Sequence, residues 1–184
     1  PGSQMPRRVN GPGSGASGGV WMVHANAPTP LLSQMSTPTH SSPRSSFWGR
    51  EIIASATCVL DCTDNVTVRR QINLASFRAS IPLFIAAASG LTWQALNLPQ
   101  NSATYGCYEC LVNNVAIRED CVSKGVLGPV VGMAACHQAT QALLFLARGF
   151  DADIKWGQYV NAHAGQGTLQ SFKLPPSSSC EVCQ

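Results

Sequence analysis

At 184 residues the chain has room for one domain with a proper core, or one domain plus a tail. A formal charge of +3 on scattered basic residues leaves no electrostatic footprint for nucleic acid. No apolar run reaches the roughly 18 residues of a membrane span, the nearest, from Val126 to Ala147, being broken by His137, Gln138, Thr140 and Gln141.

Residues 1–49 are crowded with Gly, Ser, Pro and Thr, contain no acidic residue before Glu51 and show neither helical nor strand periodicity. Such a composition buries too little apolar surface to offset chain entropy, and a mostly disordered arm is expected. Gly11-Pro12-Gly13-Ser14-Gly15-Ala16-Ser17-Gly18-Gly19 invites a reading as a nucleotide-binding loop. Its context speaks for a flexible linker instead: no strand pattern precedes it, Pro12 removes a backbone N–H, and Ala27-Pro28-Thr29-Pro30 blocks a following helix. The Ser-rich, acid-free start also resembles an organelle transit peptide, although prolines spoil the amphipathic helix.

From Ile52 the character changes, and a second unit, residues 50–184, is expected. Ala56-Thr57-Cys58-Val59-Leu60 suits a buried strand that ends at Asp61, and Asp61-Cys62-Thr63-Asp64-Asn65 reads as a polar loop carrying a helix cap. Val68, Ile72, Ala75 and Ala79 are spaced by four and three, which predicts a one-sided helix over residues 66–79. Residues 81–87 resume as a strand. A strand–helix–strand unit places its two strands parallel in one sheet, with ligands beyond their carboxyl ends, where Asp61 and Asp64 fall. Helix capping or dipole stabilisation explains the same carboxylates equally well.

After Gly90, residues 92–98, 157–161 and 169–174 read as later strands, partly antiparallel. Gly106-Cys107-Tyr108-Glu109-Cys110 and Cys180-Glu181-Val182-Cys183 are two Cys-x-x-Cys pairs. One such pair would be weak evidence, because redox pairs look the same; two pairs supply the four thiolates of a structural zinc site. The 69 residues between them make this a clamp across a domain and not a compact finger. A disulfide pair or scattered buried thiols is the alternative. Without a signal-peptide pattern ahead of the eight cysteines, a reducing cytoplasmic compartment is expected.

Cys121 lies in a polar loop over residues 111–124, with Arg118 and Lys124 three residues to either side. Nearby cations favour a reactive thiolate, Glu119 and Asp120 oppose it, and a nucleophile competes with a plain structural thiol. Cys58, Cys62 and Cys136 read as packing residues. The most apolar helix is expected over residues 130–147, stopped by Arg148 and Gly149 and buried against the sheet or a second subunit. His137 within it reads as a satisfied core or interface side chain.

Taken together, Val59-Leu60-Asp61-Cys62-Thr63-Asp64-Asn65 with Arg69, the Gly106–Leu111 segment, Cys121, Gly125-Val126-Leu127-Gly128-Pro129-Val130-Val131-Gly132 and the terminal Cys180-Glu181-Val182-Cys183 resemble the ThiF/MoeB/HesA family of sulfur-carrier adenylyltransferases. The resemblance covers about residues 52–184. It implies a Rossmann-like, mainly parallel α/β sheet of the ubiquitin-activating-enzyme type that binds ATP and magnesium. Such an enzyme adenylates the C-terminal Gly-Gly of a ubiquitin-like sulfur carrier for thiamine or molybdenum cofactor synthesis. Carried over by motif, Asp64 would hold magnesium, with Asn65 and Arg69 beside it in the cofactor site. Cys107, Cys110, Cys180 and Cys183 would bind structural zinc, and Cys121 would match the cysteine that in some members links covalently to the carrier. The helix after Pro129 would belong to a dimer region.

The departures are specific. The family's opening strand, its Gly-x-Gly-Gly-x-Gly loop, its acidic ribose ligand and its triphosphate-holding Asn/Arg/Lys set find no match in residues 1–49. The first strands are therefore expected to be missing or divergent, and the chain, which opens at Pro1, to be partial. Asn161 stands where the family usually has Asp. Two readings follow: an adenylyltransferase, or a catalytically silent zinc-bearing interaction module that needs a partner, as a heterodimer would supply, to bind ATP. A zinc-ribbon nucleic-acid binder is disfavoured by the weak charge and the long insert.

Overall fold

The computed structural model describes residues 19–23, 35–36, 53, 56–100, 103–114 and 125–184. Seven strands form one sheet: β1 Gly19–Val23, β2 Met35–Ser36, β3 Cys58–Cys62, β4 Leu83–Ser89, β5 Thr92–Leu98, β6 Gln158–His163 and β7 Thr168–Lys173. Their spatial order is β2-β1-β3-β4-β5-β6-β7. Among the described residues they are accompanied by the α-helices α1 Val66–Ala79, α2 Tyr108–Asn114 and α3 Gly128–Arg148.

The expected strand–helix–strand unit is present: β3 and β4 are parallel, with Val59 opposite Leu83 and Asp61 opposite Ile85, and α1 connects them. The expectation of a mainly parallel sheet is overturned, because every other neighbouring pair is antiparallel. A parallel pair needs a crossover, usually a helix, whereas short turns can only make hairpins. Ser89 and Thr92 are directly paired around Gly90-Leu91, with Gly90 at φ 56° supplying the backbone conformation that the turn demands. The sheet is therefore a mixed α/β one.

Two strands come from the arm for which no regular structure was expected. β1 lies antiparallel on β3, with Gly19 opposite Cys62 and Val23 opposite Cys58, and β2 pairs with β1. The edge of β3 is thus covered by backbone hydrogen bonds that no hydrophobic periodicity announced. Residues 11–18 of the glycine-rich run lie outside the described residues.

The sheet is packed on both faces. On one, Val59, Leu83, Ile85, Leu96, Leu98 and Tyr159 meet Ile72 and Ala75 of α1 and Leu111 of α2. On the other, Leu60, Phe84, Ala86, Trp93, Ala95 and Ala162 meet Val130, Ala134, Ala142 and Phe145 of α3. Cover on both sides explains why β3 is buried along nearly its whole length. Helix α1 has the predicted bounds: Asn65 accepts a hydrogen bond from the Val68 N–H at its start, and Ser80 turns left-handed (φ 57°) at its end.

Helix α3 begins two residues before its predicted start, because Gly128 and Pro129 form its first turn. Gly149 stops it as expected, at φ 61°. The expected burial against the sheet holds for one stripe; among the described residues Val131, Met133 and Leu143, off that stripe, are 44–53% exposed. Cys136 is exposed too, against its reading as a packing residue. By length and composition α3 could also cross a membrane, a property the run-based reading missed because its polar residues are spread along it. Its buried stripe, packed against β4 and β5, is equally that of a core helix.

Candidate metal centre and acidic turn

The two Cys-x-x-Cys pairs meet because two glycines let backbones touch. The Gly106 N–H donates to the Leu174 carbonyl at 2.9 Å, and a Cβ on Gly106 would collide with the Pro175 carbonyl oxygen. Gly157, at φ 65°, lies against the Tyr105 ring, donates to the Asn97 carbonyl at 2.8 Å and accepts from the Leu174 N–H at 2.8 Å. The end of β7 is thereby pressed onto the residue before Cys107, and the chain beyond it delivers Cys180 and Cys183.

Cys107 Sγ lies 3.6 Å from Cys180 Sγ, and Cys110 Sγ 3.4 Å from Cys183 Sγ. All four sulfurs fall within 4.8 Å of one another. A tetrahedron of thiolates about 2.3 Å from a central ion has edges of about 3.8 Å, so this cluster fits a divalent metal. The four are free thiols, and three of them are buried. Burial pushes the Cys107 thiol up to about 11. Burial raises Cys180 as well, but backbone hydrogen bonds from Cys183 and Val182 outweigh it and bring that thiol down. The Ser177 N–H also points at Cys110 Sγ, at 3.3 Å. Backbone donors and a dry pocket together suit sulfurs whose negative charge is balanced by a cation.

The acidic turn follows β3. Asp61, expected in a loop, is instead the fourth residue of the strand and fully buried. It stays there because it is saturated: Oδ2 pairs with Arg69 Nε at 3.0 Å, and Oδ1 accepts the Thr63 N–H at 2.8 Å and the Thr63 hydroxyl at 2.6 Å. Arg69 also donates to the Thr63 carbonyl and lies over the Tyr108 ring, 5.7 Å from its centre. Burial works against the Arg69 charge, and Asp61 and Tyr108 together more than restore it. A buried pair of this kind holds only when the remaining valences are filled, as here. Asp64 is exposed on the turn, Asn65 caps α1, and Arg69 is committed to Asp61. Cys121 lies outside the described residues.

Gln138 gave only a negative signal in the sequence, as a break in an apolar run. It is buried, donates through Nε2 to the carbonyls of Asp61 at 2.9 Å and Phe84 at 2.8 Å, and accepts from the Cys62 thiol at 3.2 Å. It thus ties β3 near its carboxyl end to β4 near its start. Its spacing of four from both Ala134 and Ala142, in the buried stripe, was the signal available. His137, beside it, is half-buried against Trp93 at 5.1 Å between ring centres, and burial lowers its pKa. The cavity lined by Arg69, Gln94, Tyr108 and Tyr159 holds about 20 Å³, room for about one water and no substrate.

Comparison with known proteins places this geometry. The ThiF family profile matches residues 15–182, reaching into the arm that motif reading set aside. The molybdopterin-synthase adenylyltransferase of Salmonella typhimurium is 35% identical over 135 residues, 72% of this chain and 52% of that protein. The sulfur carrier protein ThiS adenylyltransferase of Escherichia coli is 34% identical over 135 residues, 73% of this chain and 52% of that one. This chain spans about half the length of these relatives. Among solved structures, MccB of E. coli superposes with a TM-score of 0.61 at 16% identity, over 84% of this chain and 47% of that one, which shows a shared fold. The chain belongs to the ThiF family.

Proposed function

We propose that this chain is part of an adenylyltransferase that activates the C-terminal Gly-Gly carboxylate of a ubiquitin-like sulfur carrier with ATP and magnesium. The observation that carries the reading is the pairing of an exposed Asp64, on a turn locked by Asp61 and Arg69, with about 35% identity to proteins named as adenylyltransferases. In the reaction a carrier carboxylate oxygen attacks the α-phosphorus. One P–O bond forms, the bond to the departing pyrophosphate breaks, and an acyl-adenylate results. Asp64 would hold the magnesium ion, which when bound neutralises phosphate charge. Asn65 keeps the N-terminus of α1 ordered beside it, and Arg69 fixes the turn's shape through Asp61.

Cys107, Cys110, Cys180 and Cys183 would hold a structural zinc ion, four thiolates closing the site to substrate. Cys121 is the candidate for a covalent link to the carrier. The pathway would be molybdenum cofactor or thiamine synthesis, in a reducing cytoplasm. The exposed apolar face of α3 suits a homodimer or heterodimer. Residues 50–184 would form the adenylyltransferase unit, with 1–49 a divergent arm.

A second reading, a silent zinc-bearing module, is favoured by one observation: Arg69 already gives Nε to Asp61 and Nη2 to the Thr63 carbonyl, which draws on the donors a triphosphate would need. ATP–pyrophosphate exchange with magnesium and a Gly-Gly-ended carrier separates the two. Exchange that disappears in Asp64→Ala, with the thermal midpoint unchanged because Asp64 is exposed, supports the enzyme. Absence of exchange in the wild-type chain supports the module.

A further inference from the structure

We infer that Tyr108 is a positioning residue that carries the state of the four-cysteine centre to the Asp61–Asp64 turn; this rests on the metal reading above. Tyr108 follows Cys107 directly and is the first residue of α2. It is buried, its N–H donates to Asn73 Oδ1 on α1 at 3.2 Å, and its ring lies beneath the Arg69 guanidinium. Arg69 in turn grips Asp61 Oδ2 and the Thr63 carbonyl, and Asp61 Oδ1 takes both donors of Thr63, the neighbour of Asp64. From metal ligand to acidic turn the line runs through the Cys107–Tyr108 peptide, then by side-chain contacts from the Tyr108 ring through Arg69 and Asp61 to Thr63, and Asp61, Arg69 and Tyr108 along it are all buried.

Two features make the line responsive and not merely present. Helix α2 has seven residues, too few to hold its own shape, so its position depends on its anchors. Those anchors are Cys107 and Cys110, an Arg70–Glu109 pair, half-exposed on the arginine side, on the flank, the Tyr108 N–H on Asn73, and Leu111 in the core. Hydrogen bonding on α1 is also incomplete: among the described residues the Ser76 hydroxyl, one turn from Asn73, is buried without a partner. An unpaired hydroxyl there gains a hydrogen bond from water if local loosening exposes it. Releasing the four sulfurs therefore frees Tyr108, and Arg69 loses the ring that backs it. Coupling of this kind is reciprocal, so whatever orders the Asp64 turn tightens metal binding by the same factor.

The Thr63 amide, which donates to Asp61 Oδ1, is the direct reporter. In the full chain, amide exchange by NMR is compared at Thr63 and at Leu96 in the sheet centre, with zinc measured colorimetrically. Chelation is expected to speed Thr63 exchange about tenfold and leave Leu96 unchanged. Tyr108→Ala should show the fast Thr63 exchange with zinc still bound, and Tyr108→Phe, which keeps the ring, should match wild type. Arg69→Lys, which keeps the charge and loses the fork, should behave as Tyr108→Ala does and serves if that variant fails to fold. Zinc loss without a change at Thr63 overturns the relay and leaves the metal reading standing. Equal acceleration at Thr63 and Leu96 overturns it as well, making the clamp a global staple. A wild-type chain that binds no zinc overturns the metal reading itself.

Discussion

The cysteine cluster and the acidic turn both hold ionisable groups out of water, and they do so by opposite means. In the turn the buried groups are answered from within the chain: Asp61 by Arg69, the spare carboxylate oxygen by Thr63, and the neighbouring Cys62 thiol by Gln138. In the cluster four sulfurs face one another, with backbone donors such as the Ser177 N–H beside them, and the balance for four thiolates would come from an ion. One site is self-sufficient and the other is conditional. A fold that joins the two through Tyr108 and Arg69 makes a conditional element the support of a permanent one.

The comparison breaks most visibly at the cluster. Replacing Cys110 by Ser, or removing metal with a chelator, takes away a binding free energy on the order of 10 kcal/mol. The expected outcome is loss of the bound zinc and the largest fall in thermal midpoint of any change considered; an unchanged midpoint would make the four thiols ordinary packing residues. At the turn, Asp61→Ala leaves a buried guanidinium unpaired and should cost about 3–5 kcal/mol in urea denaturation, while zinc stays bound. Gln138→Leu takes a donor from the Asp61 carbonyl late in β3 and the Phe84 carbonyl early in β4 and should cost about 2 kcal/mol, again without touching the metal.

The smallest effect is set by pH. Burial, with Asp61 adding to it, raises the Cys62 thiol from 9.0 to about 12. A thiol whose folded pKa is raised stays protonated while the unfolded chain loses its proton, so its stabilisation is full below pH 9 and declines as pH rises toward 12. Urea midpoints at pH 8 and pH 10 should differ by roughly 1 kcal/mol in stability from this group, and Cys62→Ala should remove that difference. Alkylation at pH 8 should accordingly spare Cys62.

What could be read in advance follows the same division. Local devices announce themselves: Asn65 before an apolar spacing of four and three gave α1 to the residue, and two Cys-x-x-Cys pairs gave the cluster. Groups satisfied at long range do not. Asp61 looks like a loop residue because its partner is eight residues away on the next helix, and Gln138 looks like a flaw in α3 because its acceptors lie 77 and 54 residues back. The antiparallel character was signalled by Ser89-Gly90 between two apolar runs. It was outweighed by the parallel β3–β4 unit and by family likeness.

The glycine turn at Gly90 also bears on the order of assembly. β4 and β5 meet across two residues, whereas the two halves of the cluster must find each other across 69. By loop-closure entropy the longer closure costs about 3 kcal/mol more. A chain emerging from denaturant should therefore build its hairpins within the first events and gather its four sulfurs late, on a sheet already formed. Zinc would then arrive as the final step of maturation and not as its nucleus.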